Sequence, residues 1–175
     1  LLLEKILKTC PSADILVIDD NSPDSTSDII EKLMTFHKNI FLIKRKSKLG
    51  LDTAHKEGYE FSIKNDYDYL ITMDADLSHD PDEIKNFISK LEKYSFVIGS
   101  RYMMGGKCLM KKSRLILSKY GNLTMRYLLR IDISEFTTSY RGFNLKKLNN
   151  FHLNNVKMKG YSFFMGTIFE LSKKS

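Results

Sequence analysis

Four short apolar runs, DILVID at 14–19, IFLIKR at 40–45, YDYLITM at 67–73 and SFVIGS at 95–100, alternate with stretches whose apolar residues recur at helical spacing. Ile29, Ile30, Leu33, Met34 and His37 follow the first run, a helix is expected from Leu51 to Lys64 after the second, and Ile84, Phe87, Ile88 and Leu91 follow the third. The runs are nearly continuous in apolar residues, as in strands covered on both faces. Repeated strand and helix units of that kind, joined by right-handed crossovers, build a mostly parallel sheet flanked by helices. The expected class is therefore α/β and Rossmann-like, and such sheets bind ligands beyond the carboxyl ends of their strands. Asp80 reads as the cap of the third helix, with Pro81 as its first residue and Glu83 completing a capping box.

After Arg101 the pattern changes. A basic loop leads into a helix expected from about Ser113 to Arg130, with Ile116, Tyr120, Leu123 and Tyr127 facing inward, and a last helix is expected from about Tyr161. No linker separates these parts, so residues 1–175 read as one domain. No apolar run approaches the roughly 18 residues that a membrane span requires. Cys10 and Cys108 are isolated thiols without metal spacing and with no leader-like stretch ahead of them, which reads as reduced cysteines at a cytosolic face.

The net charge of +7 conceals a division. Residues 1–100 hold 13 Lys and Arg against 18 Asp and Glu, whereas residues 101–175 hold 15 against 3. The second half is suited to an anion: a nucleic acid, an acidic membrane surface or a phosphorylated substrate. A basic face that merely aids solubility is the plainer alternative.

Two of the apolar runs end in acids. In MDADLSHD at 73–80, strand alternation sends Asp74 and Asp76 to the same side, where both reach one hard cation through oxygen. Magnesium or manganese typically binds one or two carboxylates plus substrate phosphates, so an open Asp-x-Asp pair suits a nucleotide diphosphate. Taken alone, the pair is explained equally well by turn and cap duty. Asp19, Asp20 and Asn21 close the first run in the same way. His79 reads either as a ligand or proton carrier or as a structural histidine at a helix start. Met103, Met104 and Met110 mark the basic loop as a lid for an apolar chain or as ordinary packing.

VIDDNSPDST at 17–26, KLGLDTAHKEG at 48–58, MDADLSHDPDEI at 73–84 and IGSRYMMGG at 98–106 together resemble glycosyltransferase family 2, in its polyprenyl-phosphate mannose synthase branch. SRLILSKYGN at 113–122, TTSYRGF at 137–143 and KGYSFFM at 159–165 extend the resemblance over nearly the whole chain. It implies a GT-A fold and a metal-dependent, inverting transfer of mannose from GDP-mannose to a polyprenyl (dolichyl) phosphate. On that resemblance Asp74, Asp76 and Ser78 hold Mg2+ or Mn2+ with the donor diphosphate, and Asp19 and Asp20 contact the donor nucleoside. Arg101, Arg114 and Ser118 fall where the family holds the lipid phosphate, with Arg141 a weaker candidate. The implied partners are a nucleotide-sugar donor, a polyprenyl phosphate and a membrane surface, met peripherally at the cytosolic face.

The sequence also departs from the family pattern. The chain opens with LLLEKILK, read as part of the helix that follows the family's first strand, and stops at FELSKKS, before the segment in which relatives supply a last strand and a further arginine. Both are therefore expected to lie outside these 175 residues. Asp52 stands where relatives usually carry glycine, either altering the loop near the donor or capping the next helix. Two rivals remain: a family 2 transferase with another donor such as UDP-glucose or a polysaccharide acceptor, and an incompetent fragment that binds anionic lipid or a partner. No G-x-G-x-x-G follows a strand, and the basic residues form no nucleic-acid module, so an oxidoreductase and a nucleic-acid partner are not expected.

Overall fold

The computed structural model describes residues 2–103 and 112–173, except the side chains of residues 112–115 and 117. In chain order the elements are α1 (Leu2–Thr9), β1 (Ile15–Asp19), α2 (Thr26–Phe36), β2 (Ile40–Lys44), α3 (Leu51–Lys64), β3 (Tyr69–Thr72), α4 (Ile84–Leu91), β4 (Phe96–Ile98), α5 (Lys112–Leu129), β5 (Arg141–Asn144) and α6 (Tyr161–Ser172). Short 3-10 turns precede α4 at Pro81–Glu83 and α6 at Leu153–Asn155. The α/β class is the one expected from the alternating runs.

β1 and β2 pair in parallel, from Ile15 opposite Ile40 to Asp19 opposite Lys44. β3 and β4 both run antiparallel to β5, which lies between them, so β3 and β4 share one direction. β5 is the strand that the hydrophobic pattern does not announce. Its sequence, RGFN, is four residues long and buried throughout. Gly142 belongs there because α4 presses on it: a Cβ would lie 2.8 Å from Phe87 Cδ1 and 2.9 Å from Leu91 Cδ1.

Two apolar clusters hold the layers together. Ile6, Ile15 and Ile84 are buried with Leu3, Val17, Ile71 and Met73 packed around them, so α1 joins the face of β1 to the face of β3. Thr9 Oγ1 donates to Asp82 Oδ1 at 2.9 Å and fastens α1 to the turn before α4. The larger cluster gathers Tyr59, Phe143, Leu145, Phe151, Val156, Phe163 and Phe164.

Arg141 is 1% exposed inside this core. Its Nε donates to Thr138 O at 2.7 Å, Nη1 to Phe164 O at 2.9 Å and Nη2 to Phe136 O at 3.0 Å. The guanidinium lies 4.6 Å from the Phe164 ring centroid. Burial lowers its pKa to about 9, opposed by Glu135, so it stays charged near neutral pH. Buried Asp52 accepts from the Gly160 amide at 3.1 Å; the residue expected to cap α3 or alter a loop instead ties α3 to the start of α6.

Two expectations need correction. Asp80 does cap, accepting from the Asp82 amide at 3.1 Å, but Glu83 turns to Asn86 at 2.8 Å and completes no capping box. On α5 the stripe Ile116, Tyr120, Leu123 and Tyr127 faces solvent, at 56% to 83% exposure. The buried contact is polar: Asn122 Oδ1 accepts from the Phe136 amide at 2.9 Å, and Ser118, Met125 and Leu129 on the same face are half-buried. Hydrogen bonds to the loop before β5 set the orientation of this helix, against its hydrophobic period.

Replacing Arg141 with Met removes the donors of three buried carbonyls. Urea denaturation is expected to show a loss of about 3 kcal/mol or more, with Arg141→Lys recovering part of it because an ammonium does not span three diverging acceptors. His55, edge-on to Phe164 at 5.0 Å, has its pKa lowered by burial from 6.5 to about 3. Between those values the unfolded chain binds a proton that the folded chain refuses, so stability falls as pH drops below about 6.5. His55→Leu is expected to flatten that slope in denaturation midpoints taken from pH 7 to about 4.5, with His79 supplying the remainder.

Candidate active site

β3 ends at Thr72, and the chain then turns through Asp74 to Ser78 without regular structure. Leu77 sits at φ 65°, a left-handed conformation that a branched side chain rarely adopts. That turn lets the Ser78 amide donate to Asp76 Oδ1 at 2.9 Å. Hydrogen bonding from Ser78 holds the exposed Asp76 carboxyl below its ordinary range, so it is ionised near neutrality. Asp74 is half-buried, and its amide donates to His79 Nδ1 at 2.9 Å. His79 Nε2 lies 4.0 Å from Asp74 Oδ2. Burial lowers the pKa of His79, while Asp74 and Asp76 pull it upward.

Arg101 follows β4 and meets an acid that sequence reading misses. Glu135, 1% exposed, accepts from the Arg101 amide at 3.0 Å through Oε2, and its Oε1 lies 2.8 Å from Arg101 Nη2. A carboxylate so deeply buried requires a charged partner, and Arg101 supplies it. Around them Ser134 and Ser100 share a hydrogen bond of 2.8 Å, and the Tyr102 hydroxyl donates to Ser118 Oγ at 2.6 Å. Ser118 on α5 is thus brought beside the Arg101 segment. Arg114 belongs to α5, but its side chain lies outside the described residues, as do Met104, Met110 and Cys108. Asp74, Asp76, Arg101 and Glu135 all act electrostatically on His79, which sets these charges in one neighbourhood.

A second group gathers where β1 and β2 end. Buried Asp19 accepts from the Ser22 amide at 3.3 Å and from Ser27 Oγ at 2.5 Å, and these bonds lower its pKa. Asp20 pairs with Arg45, whose side chain is 5% exposed and whose Nη1 donates to Thr53 Oγ1 at 2.6 Å. Asn21, at φ 62°, turns the chain away behind them. Asp19, Asn21, Ser27, Lys44 and Arg45 line an open cavity of about 280 Å³. Sequence reading singled out both acids, but Arg45 and Ser27 carry no motif that marks them.

Arg141 does not join either group. Its guanidinium is enclosed and committed to three backbone carbonyls, so the structure replaces the acceptor-phosphate role expected for it with a structural one. The signal that misleads is chemical: an arginine in a motif reads as an anion ligand, and nothing local reveals that its partners are neutral backbone carbonyls.

The acid loop fits a hard divalent cation as an open holder. Its donors are carboxylate oxygens, Asp76 is ionised, and Asp74 keeps 41% of its side chain exposed. Among the described residues no group of three or more His, Cys, Asp and Glu is placed to hold a metal.

The description Glycosyl transferase family 2 matches residues 2–151, which takes in both acid groups, Arg101, Glu135 and β5. The polyprenol monophosphomannose synthase of Mycolicibacterium smegmatis is 34% identical over 166 residues, covering 93% of this chain and 63% of that protein. The undecaprenyl-phosphate mannosyltransferase of Micrococcus luteus is 31% identical over 174 residues, covering 99% of this chain and 72% of that protein. The chain thus spans roughly two thirds of the length of these relatives. With acids at the end of β1 and just after β3 inside the matched region, the chain belongs to glycosyl transferase family 2 as a glycosyltransferase domain.

Proposed function

We propose that this domain transfers mannose from GDP-mannose to a polyprenyl phosphate with inversion, using Mg2+ or Mn2+, at the cytosolic surface of a membrane. The observation that carries the reading is the meeting of ionised Asp76 and half-buried Asp74 with the Arg101–Glu135 pair in one electrostatic neighbourhood. Two anions must approach each other in this reaction, and such a site offers separate means of holding each. The names of the two relatives supply the sugar and the lipid class.

In this reading Asp74 and Asp76, with Ser78, hold the donor diphosphate through the cation, which when bound stabilises charge on the departing nucleotide. Asp19 and Asp20 contact the nucleoside beside the cavity at the ends of β1 and β2. Arg101, Arg114 and Ser118 hold the acceptor phosphate. A phosphate monoester is already ionised, so its oxygen attacks the anomeric carbon without a dedicated base once repulsion between the anions is relieved. Glu135 orients Arg101 by gripping both its amide and its guanidinium.

The outward stripe of α5 supports membrane contact. Ile116, Tyr120, Leu123, Tyr127 and Leu128 are exposed, Lys119, Arg126 and Arg130 flank them, and no acid occurs from 112 to 130. A helix with an apolar stripe and basic flanks settles at an anionic lipid interface. No helix among the described residues is long and apolar enough to cross a membrane.

With labelled GDP-mannose and a polyprenyl phosphate, Asp76→Asn is expected to reduce transfer by at least about a hundredfold while the fold persists by circular dichroism. Transfer unchanged by that substitution would overturn the cation assignment. A thermal-shift comparison of GDP-mannose with UDP-glucose, each with and without magnesium, is expected to favour the former only when the metal is present. Co-sedimentation with vesicles containing anionic lipid is expected to fall about tenfold or more in the double variant Leu123→Ser, Tyr127→Ser, since each buried apolar side chain contributes about 1.5–3 kcal/mol.

A further inference from the structure

His79 is an aromatic side chain wedged between the acid loop and the sheet, and the transfer reaction as described assigns it no task. Its ring stacks on Tyr140 at 4.8 Å with an interplanar angle of 21°, and Tyr140 stacks on Phe87 of α4 at 4.4 Å and 27°. Two rings so close and so nearly parallel to the same tyrosine cannot share one face, so Tyr140 is sandwiched between them. The tyrosine is itself fixed. Its hydroxyl donates to Asp80 O at 2.9 Å, its carbonyl accepts from the Gly99 amide at 2.9 Å, and a Cβ on Gly99 would come within 3.0 Å of its ring. The three-ring pile therefore runs from the buried face of α4 to the underside of the acid loop.

At the top of that pile the imidazole makes one directional bond, accepting the Asp74 amide on Nδ1 at 2.9 Å. An imidazole that accepts at Nδ1 carries its proton on Nε2, the nitrogen turned toward the Asp74 carboxylate at 4.0 Å. One ring thus sets the backbone of Asp74 and faces its side chain. The loop it supports includes Leu77 at φ 65°, a conformation that persists only when surrounding contacts over-determine it.

We propose that His79, backed by Tyr140, is a positioning residue that fixes Asp74 and with it the geometry in which the loop receives a cation and a nucleotide diphosphate. The proposal rests on the reading that Asp74 and Asp76 hold that pair. It predicts that the acceptor atom at the Nδ1 position matters, and that a polar group at the Nε2 position does not replace it.

Asparagine and glutamine separate the two. The side-chain oxygen of Asn falls near Nδ1, and the terminal amide of Gln falls near Nε2, so His79→Asn keeps the acceptor for Asp74 whereas His79→Gln loses it. Two readouts are taken on the whole chain: hydrogen exchange of the Asp74 amide without ligand, and calorimetric binding of Mn2+ with GDP. In His79→Gln the Asp74 amide is expected to exchange at least about tenfold faster, and affinity for Mn2+ with GDP to fall about ten- to a hundredfold, as for other groups that orient a metal ligand. His79→Asn is expected to stay within about threefold of the parent in both.

Equal exchange and equal affinity in the two variants would overturn the proposal, as would a protected Asp74 amide in His79→Gln. Tyr140→Phe, which keeps the stack and loses only the hydroxyl, is expected to leave Asp74 protected; exchange as fast as in His79→Gln would show that the hydroxyl rather than the imidazole holds the loop. Asp76→Asn tests the underlying reading separately. If Mn2+ with GDP binds that variant as well as the parent, the cation assignment fails, while amide exchange still decides whether His79 fixes Asp74.

Discussion

A single guanidinium organises the side of the molecule that carries the Arg101–Glu135 pair. Arg141 binds the carbonyls of Phe136 and Thr138 in the segment before β5 and that of Phe164 in α6, and its own backbone pairs with Thr72 and Ile98. That segment also carries Glu135, which grips Arg101, and Tyr140, which underlies His79. Losing the guanidinium would therefore loosen both halves of the site at once, although Arg141 is enclosed and meets no substrate. The arrangement is costly in isolation, since a buried cation surrenders its hydration, but three carbonyls, two nearby aromatic faces and the neighbouring Glu135 offset the loss.

The two charged groups differ in how they are held. Asp76 and Asp74 stand on a short irregular turn and keep access to solvent, whereas Glu135 is sealed and committed to Arg101. Open acids exchange partners readily, and a closed ion pair does not. The proposed site, which would receive and release a charged nucleotide yet keep an arginine at a fixed angle, has reason to use one of each. The cavity beside Asp19 and Arg45 follows the same division: Arg45 is committed to Asp20 and Thr53, while Asn21 and Ser22 stay exposed.

Much of the fold was legible because hydrophobic period reports burial. β1, β2, α3 and α6 lie where their patterns place them, and the α3 bounds agree to the residue. β5 was not legible, because four residues containing one glycine and one large apolar side chain show no period, and their burial comes from α4 packing over Gly142. α5 was found but turned inside out. Its amphipathic period is real, yet Asn122 and its bond to Phe136 decide which side meets the protein. Acids at strand ends stood out because they interrupt the apolar runs at the carboxyl ends where α/β sheets generally bind ligands. Glu135 and the backing role of Tyr140 depend on contacts across more than thirty residues of chain, which no local pattern records.

Leu77 carries one more consequence. A branched residue held at φ 65° costs of order 1–3 kcal/mol, which glycine or asparagine would largely avoid. Relief of that strain would pull against confinement: glycine there would settle the backbone yet widen the range of shapes open to the acids on either side. The side chain of Leu77 is half exposed and buries little, so its effect on the turn is a restraint on torsional freedom more than packing. Thermal robustness and sharpness of the acid-bearing turn are therefore opposed at this one position.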